Sequence, residues 1–335
     1  MFNKPILKLF SFILMITVCS VSAQALTIKI ATISPEGSMW MEKMREGASK
    51  VARTTDNRVK FKFYPGGVMG NDKAVLRKIR INQLQGGALM SGSLSSFFPG
   101  NQIYAQPMKF KSQEEVDYVR RHMDEYIIKG LDDAGFVCFT LMGGGFAYIM
   151  SKSPVASIAD LKACKIWVPD NDTMTVDSME CFGISPFALP LADVRTGLQS
   201  GLIDTVGTSP VGAVVLQWHT EIKYMTNLPL LYLYAVFAID KKTFNKISPD
   251  DQKVVSEIMD RSLKEIDRLN REDNIKAIDA LKKQGIKLIN PSKEQMDEWL
   301  AAAAIASQKM IDDGNLPKNS ADKVDALLEQ YRKNQ

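Results

Sequence analysis

Ser157-Ile158-Ala159-Asp160-Leu161-Lys162-Ala163-Cys164-Lys165-Ile166-Trp167-Val168-Pro169-Asp170-Asn171-Asp172 is the stretch on which the fold reading turns. Ser157 followed three residues later by Asp160 is a helix-capping pattern, so a helical turn starts there. Lys165–Val168 reads as a short buried strand, and Pro169-Asp170-Asn171-Asp172 as a turn that opens another helix near Asp172. A strand held between helices is the unit of an α/β fold. Trp167 falls near the C-terminal end of that strand, where open sheets place their ligands. It reads equally as a core aromatic, because large aromatic side chains are mostly buried.

Downstream the alternation continues: helix Thr173–Phe182, strand Phe187–Pro190, helix Asp193–Ser200, strand Leu202–Val206 and helix Pro210–Trp218. Strands Ile222–Thr226 and Leu231–Ile239 follow, the second with Tyr232 and Tyr234 on one face and Leu231, Leu233 and Phe237 on the other. Upstream, strand Leu26–Thr32 hands over through Ser34-Pro35-Glu36-Gly37-Ser38 to a helix with Trp40, Met44, Ala48 and Val51 on one face. Strand Arg58–Tyr64, a helix capped by Asn71-Asp72, and strand Gly87–Met90 complete a βαβαβ order, which implies a parallel sheet with helices on both faces. A helix from Ser112 to about Asp133 leads to strand Phe136–Met142, then Gly143-Gly144-Gly145, then strand Phe146–Ser151. No Gly-Lys-Ser/Thr follows the glycines, so they read as a flexible crossing between domains rather than a phosphate cradle.

Ser248-Pro249-Asp250-Asp251 is a strong helix start. Apolar residues keep the helical period from Val254 to Leu281, until Gln284-Gly285 ends it. At 1.5 Å per residue this helix is roughly 55 Å long, enough to lie across two domains. A break near Asn270–Asn274, where the apolar spacing lapses, is the alternative. Strand Lys287–Ile289 and amphipathic helices from Ser292 close the chain. This order divides it into lobe I (26–145 plus about 238–265), lobe II (146–237 plus about 266–310) and a C-terminal helical segment (311–335).

Met1–Ala25 has Lys4 and Lys8, an apolar run from Leu9 to Val18, and small residues at Ala23 and Ala25, the pattern of a secretory signal cleaved after Ala25. Val18 before Cys19 argues against a lipid anchor there. The longest later apolar run, Leu228–Ile239, is too short for a membrane span, so a soluble exported chain is expected. The formal net charge is +4, two of it from the signal lysines, with the signs well mixed. That balance suggests no nucleic-acid or membrane-surface partner. Cys138, Cys164 and Cys181 remain; Cys164 and Cys181 are placed to pair across a strand and helix, or all three stay free. His122 and His219, with no clustered cysteine or histidine spacing, point away from zinc. No Gly-x-Ser-x-Gly elbow is present, and no catalytic residue, cofactor or metal site is expected.

Small polar and aromatic residues recur at the strand ends instead. Ser38 and Trp40 follow the first strand, and Ser91 and Ser93 the third; Phe146 and Tyr148 lie past the glycines. Trp167 ends its strand, Thr208 and Ser209 follow Val206, Trp218 closes a helix, and Tyr232 lies on a later strand. Converging strand ends between two domains make a cleft, and such clefts hold small molecules.

The order of segments resembles the extracytoplasmic solute receptors of tripartite ATP-independent periplasmic (TRAP) transporters, the DctP-like group, over nearly the whole mature chain. The most specific matches are Phe63-Tyr64-Pro65-Gly66-Gly67-Val68-Met69-Gly70-Asn71-Asp72, Asp160-Leu161-Lys162-Ala163-Cys164-Lys165-Ile166-Trp167 and Leu198-Gln199-Ser200-Gly201-Leu202-Ile203-Asp204, with Phe244–Gln252 leading into the long helix. The resemblance implies a type II periplasmic-binding fold, two α/β lobes joined by hinge strands and a domain-spanning helix. It implies a periplasmic receptor that closes over a small molecule and delivers it to membrane permease subunits, without chemistry of its own. The family usually carries an arginine at the position of Trp167, whose guanidinium pairs with an organic acid. Tryptophan cannot neutralise a carboxylate, so the expected ligand is neutral or apolar at its recognised end. The rival expectation is that Arg195 or another basic side chain reaches the cleft and keeps carboxylate binding.

Overall fold

The computed structural model describes residues 25–170, 175, 176, 179, 180 and 183–335. The signal segment before Ala25, most of the helix expected over Thr173–Phe182, and Cys181 with its pairing to Cys164 lie outside the described residues. Cys138 is buried, and the Cys164 thiol donates to the Asp160 carbonyl at 3.3 Å.

The chain opens with β1 (Leu26–Thr32), α1 (Met39–Thr54), β2 (Val59–Tyr64), α2 (Asp72–Arg80) and β3 (Gly86–Met90). The three strands are parallel in the order β2-β1-β3, as the βαβαβ pattern implies. Ser38 and Asn71 cap the two helices, accepting from the N–H groups of Met41 and Ala74. Next come α3 (Gln113–Asp133), β4 (Phe136–Cys138) and β5 (Met142–Ser151).

The second half carries α4 (Ile158–Lys162), β6 (Trp167–Pro169), β7 (Phe187–Leu189), α5 (Val194–Ser200), β8 (Thr205–Thr208), α6 (Pro210–Val215) and β9 (Tyr224–Thr226). β10 (Leu231–Asp240), α7 (Lys241–Phe244), α8 (Pro249–Lys283), β11 (Lys287–Ile289), α9 (Lys293–Asp312) and α10 (Lys318–Lys333) follow. Three strands of this half, β6, β8 and β9, start later than the sequence suggests. Asp204 Oδ1 accepts the Lys165 N–H at 2.8 Å, which keeps that residue out of β6. Gly201, left-handed at φ 74°, ends α5 and leaves Leu202 exposed in the turn before β8.

One mixed sheet joins the two halves, in the order β11-β9-β5-β10-β3-β1-β2, with β4 also on β10 and β8 on β5. β5 is the strand that crosses over. Its first residues pair antiparallel with β10, and Tyr148–Ser151 pair with β8 and β9. The glycines are therefore inside a strand, not a break between two strands. The register against β10 skips Gly144, a bulge made with Gly145 at φ +89°.

α8 runs unbroken for 35 residues. Val255, Met259, Leu263 and Ile266 pack in the core behind β1 and α1, whereas Leu281 belongs to the core of the second half. No break occurs near Asn270–Asn274, because those side chains turn inward onto β5. Asn270 Nδ2 donates to Gly143 O at 2.6 Å and Asn274 Nδ2 to Gly144 O at 3.1 Å. The lapse in apolar spacing marks this polar seam.

α10 returns to α3, where Arg332 grips Glu115 with both carboxylate oxygens engaged, at 2.7 and 2.9 Å. Burial pushes the Glu115 pKa up, but Arg332 and the Lys111 N–H outweigh it and hold the carboxyl below its ordinary value. A lowered carboxylate pKa stabilises above the unfolded value and is lost as pH falls through the folded one. Arg332 is partly exposed and screened, so Arg332→Ala should cost about 1 kcal/mol at neutral pH. Urea denaturation should show that cost shrinking below about pH 4, where glutamates protonate.

Candidate functional site

A cleft of about 640 Å³ lies between the halves. Nine of the eleven residues singled out from the sequence line it: Ser38, Trp40, Ser91, Ser93, Trp167, Thr208, Ser209, Trp218 and Tyr232. Phe146 and Tyr148 do not. Side chains alternate across β5; Phe146 packs edge-on against Tyr232 at 5.5 Å, and Tyr148 packs on the core beneath β8.

Several of the nine are already committed to the fold. Ser38 and Ser209 cap α1 and α6. Ser93 Oγ donates to Asp72 Oδ2 at 2.7 Å, beside the Met90 N–H at 2.9 Å. Trp40 Nε1 donates to Asn270 Oδ1 at 3.3 Å. The Tyr232 hydroxyl lies against Gly143, so that a Cβ there would sit 2.1 Å from it. Ser38, Ser209, Ser93 and Trp40 therefore shape the wall more than they offer free hydrogen-bonding groups.

Trp167 lies on the cleft lining but opens β6 rather than ending it, because the strand starts two residues later than the sequence suggests. Trp167 is 6% exposed and meets Trp218 edge-on, centroids 5.2 Å apart at 75°. Its indole N–H donates to the Leu189 carbonyl at 2.9 Å. The ring is thus a fixed apolar wall whose only donor is already engaged.

Among the described residues no lysine, arginine or histidine lines the cleft. Arg195 is exposed and donates to the Gln217 side chain, so it does not reach the wall. Among the described residues the carboxylates on the lining are Asp72, Asp170 and Asp273. Burial pushes the Asp72 pKa up, and the nearby Asp170 adds to that; Ser93 and the Met90 N–H oppose it. At the exposed rim Asn71 Nδ2 donates to Asp170 Oδ2 at 2.5 Å, linking the two sides. Asn71 and Asp72 read in sequence as a helix cap and as the end of a family-like segment, and were not among the expected lining residues. Trp299, Ala303 and Met310 of α9 also line the cavity, and nothing in that helix's amphipathic pattern marked them.

The family model described as bacterial extracellular solute-binding protein, family 7, DctP, matches residues 30–313. The 2,3-diketo-L-gulonate-binding periplasmic protein YiaO of Escherichia coli is 24% identical over 241 residues, 70% of this chain and 72% of its own. The C4-dicarboxylate-binding periplasmic protein DctP of Rhodobacter capsulatus is 21% identical over 300 residues, 84% of this chain and 88% of its own. Across the curated relatives the chain spans from 66% to 92% of their length. A TRAP periplasmic solute-binding protein of Pseudomonas putida F1, solved with bound D-glucuronate, superposes with a TM-score of 0.79 at 24% identity, covering 90% of this chain and 97% of that one. The shared architecture is the two-lobe type II periplasmic-binding fold. The chain belongs to the bacterial extracellular solute-binding proteins of family 7, the DctP family.

Proposed function

We propose that the protein is a periplasmic receptor that captures a small organic molecule in the interlobe cleft and delivers it to the permease subunits of a TRAP-type transporter. The recognised end of that molecule is neutral or apolar. The observation that carries this is the lining: Trp167 forms the wall, and no basic side chain among the described residues faces the cavity. Enclosing an unpaired carboxylate beside three acids is costly, because each buried uncompensated charge loses several kcal/mol of solvation. The structurally similar proteins solved with D-glucuronate and pyroglutamic acid favour an acid ligand instead. That reading needs a cationic partner, and Arg195 points elsewhere.

Thermal-shift measurements against neutral aromatic and aliphatic solutes, dicarboxylates and sugar acids separate the two. The expected result is stabilisation by neutral solutes, with affinity about tenfold weaker in Trp167→Phe, a loss of roughly 1.4 kcal/mol. A clear shift with a simple dicarboxylate that persists in Trp167→Phe and Trp167→Ala would overturn the neutral-end reading.

A further inference from the structure

We infer that the solute is an elongated amphiphile, and that its apolar body occupies a chamber reaching from the cleft to α9. The inference rests on the neutral-end reading above and extends it. The cavity does not stop at Trp167. Its wall also includes Ile166, Leu161, Leu230 and Met108, together with Trp299 and Ala303 of α9. All but Ala303 belong to one hydrophobic cluster of the second half. Protein interiors are close-packed, so a hydrophobic cluster that opens onto a cavity gives up contacts it would otherwise make.

Three features fit a bound apolar body. The first is size: about 150 Å³ holds a benzene ring, and the cleft is about 640 Å³. The second is polarity. Ser38, Ser91 and Asp72 lie on the lobe I side, whereas the α9 end is bounded by Leu, Met, Trp and Ala side chains, and the Trp299 N–H is already given to Ala156 O at 2.9 Å. The third is Met108, held in the left-handed region at φ 51°. That conformation costs a non-glycine residue free energy and is concentrated at ligand clamps. It sets a flexible, polarisable side chain on the chamber wall. Ala302 and Ala303 leave the space that larger residues on α9 would fill.

Isothermal titration of the purified protein with 1-alkanols from butanol to decanol tests the chamber. Each methylene buried should tighten binding about fourfold, and the gain should level off when the chamber is full. Ala302→Phe, with Ala302→Leu as the milder filling, should weaken decanol at least tenfold and butanol by a smaller factor, so that the chain-length gradient flattens. Alkanols that bind without a chain-length gradient, or a gradient that both filled variants leave intact, would overturn the chamber while the neutral-end reading stands. Binding of carboxylates alone would remove both.

Discussion

Arg120→Met should cost about 3–5 kcal/mol of stability at neutral pH, the range for removing one partner of a buried ion network. Arg120 is 7% exposed. Its Nε donates to Asp124 at 3.0 Å, Nη1 to Asp267 at 2.7 Å and Nη2 to the Leu141 carbonyl at 2.7 Å. The same two carboxylates serve other elements: Asp124 accepts from the Tyr104 hydroxyl and Asp267 from the Gly143 N–H, both at 2.7 Å. One guanidinium therefore ties α3 to α8 and to the start of the crossing strand. Methionine would keep much of the volume but remove three donated hydrogen bonds, leaving Asp124 with only the Tyr104 hydroxyl, Asp267 with the Gly143 N–H and Arg271, and the Leu141 carbonyl without the guanidinium.

The pH dependence separates this account from simple loss of packing. Burial raises the Asp124 pKa, and Arg120 is foremost among the groups that pull it back. With a folded-state value above the unfolded one, the native state binds more protons in that window, so this group stabilises more as pH falls. Without Arg120 the upward shift grows, and the deficit of Arg120→Met should shrink as pH falls from neutrality. Asp124→Asn placed on top of Arg120→Met should recover part of the loss. Urea titrations showing a deficit that does not change with pH, or one under about 1 kcal/mol, would count against the network.

The α/β alternation, the parallel opening unit and the unbroken span of α8 were legible because period, caps and breakers agree there. Ser38, Asn71, Ser157 and Ser292 each announce a helix, and each accepts the expected N–H. Gly143-Gly144-Gly145 was misread because glycine signals a break locally, and only the opposing Asn270 and Asn274 show why a strand needs it here. Strand-end logic anticipated nine residues that line the cavity but none of those that α9 contributes. Phe146 and Tyr148 are close in sequence to lining residues yet point to the other face, a parity that strand register decides. Met108 and Trp299 reach the cavity from a loop and from the C-terminal helices, through contacts that no local pattern encodes.

Asn270→Leu is the second large effect, about 4 kcal/mol, from two hydrogen-bonding groups left without partners at roughly 1–3 kcal/mol each. Asn270 is 2% exposed and joins three elements at once, donating to Gly143 O on β5 at 2.6 Å and accepting from the Trp40 indole of α1 at 3.3 Å. Leucine fits the helical period better than asparagine, so helix propensity argues in its favour and the polar seam against it. The seam should win, because propensity differences are a few tenths of a kcal/mol. The glycine opposite is constrained by the same approach. A Cβ on Gly143 would lie 2.1 Å from the Tyr232 hydroxyl and 2.8 Å from Asp267 Oδ1. Gly143→Ala must therefore displace the buried Tyr232 ring of β10 and push β5 away from Asp267 of α8, at about 3 kcal/mol. Once β5 is lifted, the Asn270 bond is already broken, so the double variant should cost at least 1 kcal/mol less than the sum of the singles. Strict additivity, or an Asn270→Leu protein within 1 kcal/mol of wild type, would mean the seam is not what holds the crossing strand. Trp40 lines the cleft, so the same substitution should also weaken ligand binding, linking the interruption in α8's apolar stripe to the site it supports.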